Sequence, residues 1–525
     1  MPLNFKNIIL KSRLTAGFFC AIIIDMGKKS IIFYTTLLLL LLAYALNASF
    51  LDFDLWARLI AGMGVIDGGH VLTEDFLSYT PVHTWYDHEW GAGVIFYAFL
   101  KLFGHYGILL LQVILPFLTF FVATRVTKIR TGTQPYNLLF YFFCLMAAMS
   151  NLNHPVRCHL FSFLFFALFI YILEKVRHGK SPKLLILLPF LTILWNNIHG
   201  GVVAGLGLIG MYIAGEIYNR KPFKNYIYAL IASCAVLAIN PWGFEYIKFL
   251  LTATTMNRPL IVEWQGLFSE VHRPYQIIFK TFLCAVVVIE LLNLNKAIKN
   301  SSLLQLYQKA DKVKWIVLLV TAYLSITHIK MLPFFCVAVA CYCYEDLAWI
   351  FQKVNEKAVY ILLIGMSLYT IAVKQIELPI NFSIYPVAEV EFLKVNNIKG
   401  NILVDFGIGS FASYKLYPDC KIYMDGRYEE VYPDELLTIN DRFYATKGSW
   451  DDVLYKYPPD IILIQNNLPV YKLMLKKEGW HRIYEGSVFA VFVNDKLYTG
   501  NYKMPSLERE YYKKTLFDTD IKFTR

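Results

Sequence analysis

Apolar runs of about 18 residues or more recur between Ile31 and residue 375, and a run of that length with few charges can cross ~30 Å of hydrocarbon as a helix. Because the bilayer offers no hydrogen bonds, such runs are confined to helices that satisfy their own backbone. The composition agrees. Of 525 residues, 57% are hydrophobic and 17% are charged, against roughly 25% charged in an ordinary soluble protein. The expected fold class is an α-helical polytopic membrane protein with a C-terminal α/β domain.

The formal charge of +11 does not point to a nucleic-acid partner. Its basic residues lie in short clusters between apolar runs: Arg125/Lys128/Arg130, Lys175/Arg177/Lys180/Lys183, Arg220/Lys221/Lys224, Lys296/Lys299/Lys309/Lys312/Lys314 and Lys353/Lys357. Cytoplasmic loops carry this bias. Most of the cysteines (Cys144, Cys234, Cys284, Cys336, Cys341, Cys343) fall in or beside apolar runs and only Cys420 lies in the polar tail, so there is no disulfide or zinc framework.

Residues 1–30 are read as a cytoplasmic N-terminus whose true start is Met26, the short apolar stretch 14–24 being set aside. With Lys28 and Lys29 inside, a first span over 31–51 delivers residues 52–105 to the outer face as a loop. About eleven spans are expected: 31–51, 106–123, 136–150, 158–174, 183–195, 201–218, 226–240, 276–294, 315–327, 331–349 and 358–375. His88–Phe103 is too short to span and is read as an interfacial helix ended by Gly104, which keeps every basic cluster inside. The transmembrane domain is thus 31–376, and residues 386–525 form an extracytoplasmic α/β domain. Strands are expected at Asn401–Asp405, Lys421–Met424, Ile461–Ile464 and Val488–Val493, with helices at Phe411–Tyr417, Trp450–Tyr457 and Val470–Lys477.

Polar residues at membrane depth are costly, and here they gather at the outer ends of the spans: Asp52 and Asp54; Asp87, His88 and Glu89; Asn151, Asn153, His154 and Arg157; Asn196, Asn197 and His199; Asn240, Glu245, Glu263 and His272; His328 and Lys330. A site open to the outer compartment is expected, with its acid and base groups in the first loop. From Asp52 to Trp90 that loop holds Asp52, Asp54, Asp67, Glu74, Asp75, Asp87 and Glu89 against Arg58 as its one lysine or arginine. In L-D-F-D-L-W (51–56), a carboxylate at a low-dielectric boundary can act as a general base, or the pair can hold Mg²⁺ or Mn²⁺; the plainer reading is a helix cap. W-Y-D-H-E-W (85–90) reads either as ionisable site residues or as an aromatic belt with a cap. Single histidines in N-N-I-H-G-G and T-H-I-K-M-L-P are more often satisfied interface residues.

The order of these features resembles the GT-C superfamily of membrane glycosyltransferases, which includes protein mannosyltransferase-like and aminoarabinose transferase-like enzymes. The resemblance is nearer to bacterial GT-C-like proteins with D52-F-D-L-W56, F76-L-S-Y-T80, W85-Y-D-H-E-W90, N197-I-H-G-G201, N240-P-W-G243, E263-W264 and D425-G-R427 in this order. It implies a bacterial inner-membrane enzyme that moves a sugar from a polyprenyl-phosphate carrier to a glycan, lipid or protein acceptor, with Asp54 as the catalytic base. Asp52 stands beside it, and Asp87, His88, Glu89, Arg157, His199, Glu263, His328 and Lys330 are the expected substrate-binding residues. Leu55 replaces the second acid of an Asp-Glu pair and W-W-D-Y-G is missing, which argues against an oligosaccharyltransferase; Leu77 is inserted in F-S-Y-T. The alternative is a non-catalytic membrane protein that binds lipid-linked glycan or assists envelope polysaccharide assembly. A proton-coupled transporter is disfavoured, because the spans hold no mid-depth acidic pair and Glu290 stands alone. The group Asp425, Arg427, Tyr428 and Glu429 reads as a structural salt bridge at a strand end.

Overall fold

A computed structural model describes residues 27–523 apart from 48–50, 150–155, 257, 259–260, 270–273, 301, 375, 379–380, 382 and 507. The expectations placed on residues 1–26 and on Asn151, Asn153, His154 and His272 lie outside the described residues. The chain is mostly helical. Among the described residues five helices are long and apolar enough to cross a membrane: Lys28–Leu46, His105–Thr131, His159–Arg177, Gln276–Asn300 and Glu356–Lys374. Ile329–Tyr342 and Tyr344–Phe351 form a pair bent by 80°, which would make a sixth span if continuous.

Several of the expected spans coincide with short apolar helices, Leu138–Met149, Pro182–Ile198, Val202–Tyr218 and Lys224–Ala238. Leu138–Met149, Leu187–Ile198 and Lys224–Ala235 each have 12 residues, and Val202–Tyr218 has 17. At 1.5 Å per residue these rise ~18–25 Å, less than the hydrocarbon core.

Between the first span and His105–Thr131 lie two apolar helices, Leu55–Ile66 and Trp90–Phe103. The interfacial helix ends at Gly104 as expected, where φ is +59°. The two helices cross with their backbones nearly touching. A Cβ on Gly62 would lie 2.2 Å from the Gly93 carbonyl oxygen, and one on Gly93 would lie 2.3 Å from that of Arg58. Small residues permit this approach, and it brings Arg58 against the start of the second helix.

The C-terminal unit holds a five-stranded sheet in the order β2-β1-β3-β5-β4. Its strands are β1 Gly400–Leu403, β2 Cys420–Ile422, β3 Ile461–Gln465, β4 Trp480–Glu485 and β5 Phe489–Asn494. The strand β1 runs parallel to β2 and β3, whereas β5 is antiparallel to β3 and β4. The helix Phe406–Leu416 crosses from β1 to β2, its first turn capped by Asp405, which accepts from the Gly407 N–H at 2.9 Å. Four strands match the expected positions to within a residue or two; β4 was not expected.

The first loop and this sheet are joined through the free edge of β2. The Tyr79 N–H donates to the Ile422 carbonyl at 3.0 Å, the Ile422 N–H to that of Leu77 at 2.9 Å, and Thr80 Oγ1 to that of Tyr423 at 2.6 Å. An exposed edge is a pairing liability, and the loop covers it. Arg427 locks the junction from below. Its guanidinium meets Asp425 at 2.9 Å and Asp75 of the loop at 2.8 Å and lies 4.5 Å from the Trp85 ring centroid, all fully buried. Trp56 is enclosed by Tyr385, Phe411, Tyr414 and Phe517. Replacing Arg427 with Leu should leave two buried carboxylates without their cation and destabilise the protein by about 3–5 kcal/mol. Thermal unfolding in detergent checks this, and a melting temperature equal to wild type would contradict it.

Candidate active site

Asp54 occupies the N-cap position of Leu55–Ile66, but its side chain makes no capping bond. Capping therefore does not account for it. Its Oδ2 instead faces Arg157 Nη2 at 3.1 Å, while Asp52 Oδ2 faces Arg157 Nε at 3.0 Å, and Glu263 closes on Nη1. Asp52 also accepts from the Asp54 N–H at 2.9 Å through its other oxygen. One guanidinium thus holds three carboxylates, two from the start of the first loop and one from residue 263. Asp52 is buried with 4% of its side chain exposed, whereas Asp54 keeps 41% and opens onto a cleft lined by Leu55, Arg58, Glu89 and His159 as well.

A divalent ion shared by Asp52 and Asp54 does not fit this donor set. Oδ2 of each is already bonded to the Arg157 guanidinium and Asp52 Oδ1 to the Asp54 N–H, so a metal shared by the pair would have to displace a fixed positive charge. Among the described residues, the groups of three donors with metal-like spacing are His88, Glu89 and Glu430, and Glu290, Cys343 and Asp346; each also faces a basic side chain, Arg58 or Lys314.

Beside this pair is a second ion cluster centred on Arg58, which is 3% exposed. Its guanidinium pairs with Asp87, with Glu430 of the C-terminal unit at 3.1 Å and with Glu89 at 3.4 Å. Glu430 in turn meets His88 Nδ1 at 2.9 Å and accepts from Trp85 Nε1 at 2.9 Å. Asp87 and Glu89 therefore turn inward, onto the protein's own cation. Neither Arg58 nor Glu430 was among the expected site residues. The signal for Arg58 was present: it is the one lysine or arginine in the acidic segment 52–90. Nothing local in Y-E-E-V marks Glu430, whose role depends on a contact across 372 residues.

His199 has a defined orientation. The Gly201 N–H donates to its Nδ1 at 2.9 Å, and Ser162 Oγ lies 2.7 Å from the same atom while accepting from Trp195 Nε1. The ring proton is therefore on Nε2, 3.3 Å from Glu89 Oε1. Ser162, in the span His159–Arg177, and His159, whose ring centroid is 4.6 Å from that of His199, were not expected. His328 and Lys330 lie apart from the Arg58 cluster and gather on Trp264. Lys330 Nζ is 3.3 Å from its ring centroid and His328 stacks edge-on at 5.5 Å. Since Glu263, the preceding residue, binds Arg157, the two groupings meet there.

These surroundings set the charges. Burial raises the Asp54 carboxyl and neighbouring Asp52 raises it further, against the pull of Arg157, bringing it to about 7. Asp52 is likewise raised by burial, with Arg157 opposing. Burial would also raise Glu430, but Arg58 and His88 outweigh it and hold the carboxyl at about 2. Burial lowers His199 to about 3, so the ring is neutral at pH 7. The site thus sets the charged Arg58, Arg157 and Glu430 among aspartates that burial raises, and of Asp52, Asp54 and Asp87 it is Asp54 that stands open at its mouth.

With this geometry in hand, the chain can be compared with known proteins. No family model matches it, and no curated protein sequence matches it. Among solved structures, ArnT from Cupriavidus metallidurans bound to undecaprenyl phosphate superposes on 91% of this chain and 100% of its own, at 10% identity and a TM-score of 0.57. The chain shares the fold of this ArnT. The apo form of ArnT covers 94% of this chain and 100% of its own, at 11% identity and a TM-score of 0.54. AglB, an oligosaccharyltransferase from Archaeoglobus fulgidus in complex with an inhibitory peptide and a dolichol-phosphate, covers 91% of this chain and 77% of its own, at 8% identity and a TM-score of 0.52. At these identities the likeness is one of fold, and function rests on the site.

The raised Asp54 carboxyl has a consequence for stability. A carboxyl with a higher pKa folded than unfolded contributes stability at low pH that is lost as pH rises through the folded value. Asp54→Asn should therefore melt above wild type at pH 8, with the difference shrinking towards pH 5. A variant that melts below wild type at pH 8 would contradict the raised value.

Proposed function

We propose that this protein is a membrane glycosyltransferase that moves a sugar from a polyprenyl-phosphate carrier to an acceptor hydroxyl, with Asp54 as general base. The observation that carries this reading is the placement of Asp54. It is partly exposed at a cleft, fixed through one oxygen by Arg157, and raised to about 7, near the range where a general base works best at neutral pH. The solved structures of this fold include one with bound undecaprenyl phosphate and one with dolichol-phosphate, which supports a lipid-phosphate donor.

In the proposed step the acceptor oxygen attacks the anomeric carbon as its proton passes to Asp54 Oδ1. The bond from that carbon to the phosphate oxygen breaks, and polyprenyl phosphate leaves with the electron pair. Negative charge growing on the leaving oxygen calls for fixed positive charge and hydrogen-bond donors. Lys330 and His328 on Trp264, with Arg157 and His199 nearby, are proposed to supply them. Glu263 links the two sets by holding Arg157. Glu89 and His88 shape the sugar side of the cleft, while Asp87 serves by fixing Arg58. No metal is routed through the step.

The proposed setting is the one the charge pattern suggested: about eleven membrane segments, some of them short helices, the N-terminus cytoplasmic and the sheet outside, in a bacterial inner membrane. The acceptor is a glycan, lipid or protein hydroxyl.

The test uses purified wild type and Asp54→Asn with radiolabelled polyprenyl-phosphate sugars, one at a time, and a crude envelope extract as acceptor. Wild type should consume lipid-linked label and Asp54→Asn should do so at least 100-fold more slowly. Equal retention of label by both would favour the non-catalytic reading. The wild-type rate should also fall as pH drops below about 7, because the base is then protonated. Arg157→Gln removes the charge that opposes burial and should move that acid limb to higher pH; an unmoved limb would place the base elsewhere.

A further inference from the structure

The two oxygens of Asp54 have different neighbours. Arg157 holds Oδ2. Against Oδ1 stands bare backbone: a Cβ placed on Gly426 would lie 2.6 Å from it, closer than any real contact. Gly426 comes from the C-terminal unit, not from the membrane helices, and its own φ is not in the left-handed region. What marks this glycine is therefore its closeness to Asp54 and not its backbone conformation: a methyl group here would have to push the Asp54 carboxylate aside.

The turn that carries it cannot retreat. Asp425 and Arg427 on either side are fully buried and tied to each other, and Arg427 is tied in turn to Asp75 and stacked on Trp85. Three residues further on, Glu430 is bonded to Arg58 and His88. Gly426 is the one partly exposed residue in the stretch 424–427. A rigid turn thus presents its only side-chain-free point to the only oxygen of Asp54 that Arg157 leaves open.

We propose that Gly426 is a specificity-determining residue, the wall of the site on the acceptor side: a hydroxyl reaches Asp54 Oδ1 across this bare backbone, so the C-terminal unit sets how bulky an acceptor can be. This rests on the transferase reading above. Water and methanol need little room beside Oδ1, whereas a hydroxyl on a sugar or lipid brings its neighbouring carbons against residue 426. A methyl group there fills that space.

The test measures partition within one reaction. Wild type and Gly426→Ala, as full-length proteins in nanodiscs, receive the labelled polyprenyl-phosphate sugar that wild type consumes, with envelope extract and methanol together. Products on envelope acceptors, methanol and water are then counted. In Gly426→Ala the ratio of envelope product to methanol plus water product should fall at least tenfold. Because the ratio is internal, it is read from whatever fraction of the variant folds. Gly426→Ser, whose hydroxyl can donate to Asp54 instead of repelling it, is the second variant and should shift the same way. An unchanged ratio in both would overturn the role of Gly426, as would an equal loss of all products, which would mean that the methyl merely displaces Asp54. A wild type that leaves every donor intact would instead overturn the transferase reading itself.

Discussion

The structure depends on Arg58 being satisfied. Its guanidinium is almost fully buried and pairs with Asp87, Glu89 and Glu430, two from the loop it belongs to and one from the far C-terminal unit. A buried cation without partners is strongly unfavourable, and removing one partner of such a group costs several kcal/mol. Burying Arg58 beneath the glycine crossing of two short helices therefore requires the W-Y-D-H-E-W segment to fold back and the sheet to dock. The same constraint brings residues 424–430 over Asp54. Membrane helices, loop and sheet meet at one point because their charges have no other place to be neutralised.

A second consequence is that the site has two kinds of charge. Arg58 with Glu430 is a fixed ion pair that locks position, and Arg157 is a fixed cation held among Asp52, Asp54 and Glu263. Asp54 differs from Asp52, whose carboxyl burial also raises, in being partly open to solvent. Differences in environment of this kind assign roles to otherwise similar carboxylates.

The membrane character and most of the C-terminal strands were legible because hydropathy and alternation are local signals. The strand β4 was not. Trp480-His481-Arg482-Ile483-Tyr484-Glu485 is a half-exposed edge strand whose residues alternate weakly between faces, and its pairing with β5 is what defines it. In the site, Asp54, Arg157, Glu263 and His199 could be read as polar residues clustered at one set of helix ends. Leu77, which looked like an insertion in a motif, is buried, and its carbonyl takes the Ile422 N–H as part of the added edge. Glu430 and Gly426 could not be read in advance. Their significance comes from contacts across more than 370 residues, and D-G-R looked like a strand-end salt bridge, which Arg427 with Asp425 indeed forms.

The central claim is that a lipid-linked phosphate binds where these clusters meet, facing Asp54. Its most direct test is an experimental structure of the wild-type protein in nanodiscs with undecaprenyl phosphate. The account predicts the phosphate group within reach of Lys330, His199 and Arg157, on the open side of Asp54, with the pairing of Arg58 and Glu430 intact. Phosphate density bound instead beside Lys29 and Lys128, or separated from Asp54 by a helix, would contradict it.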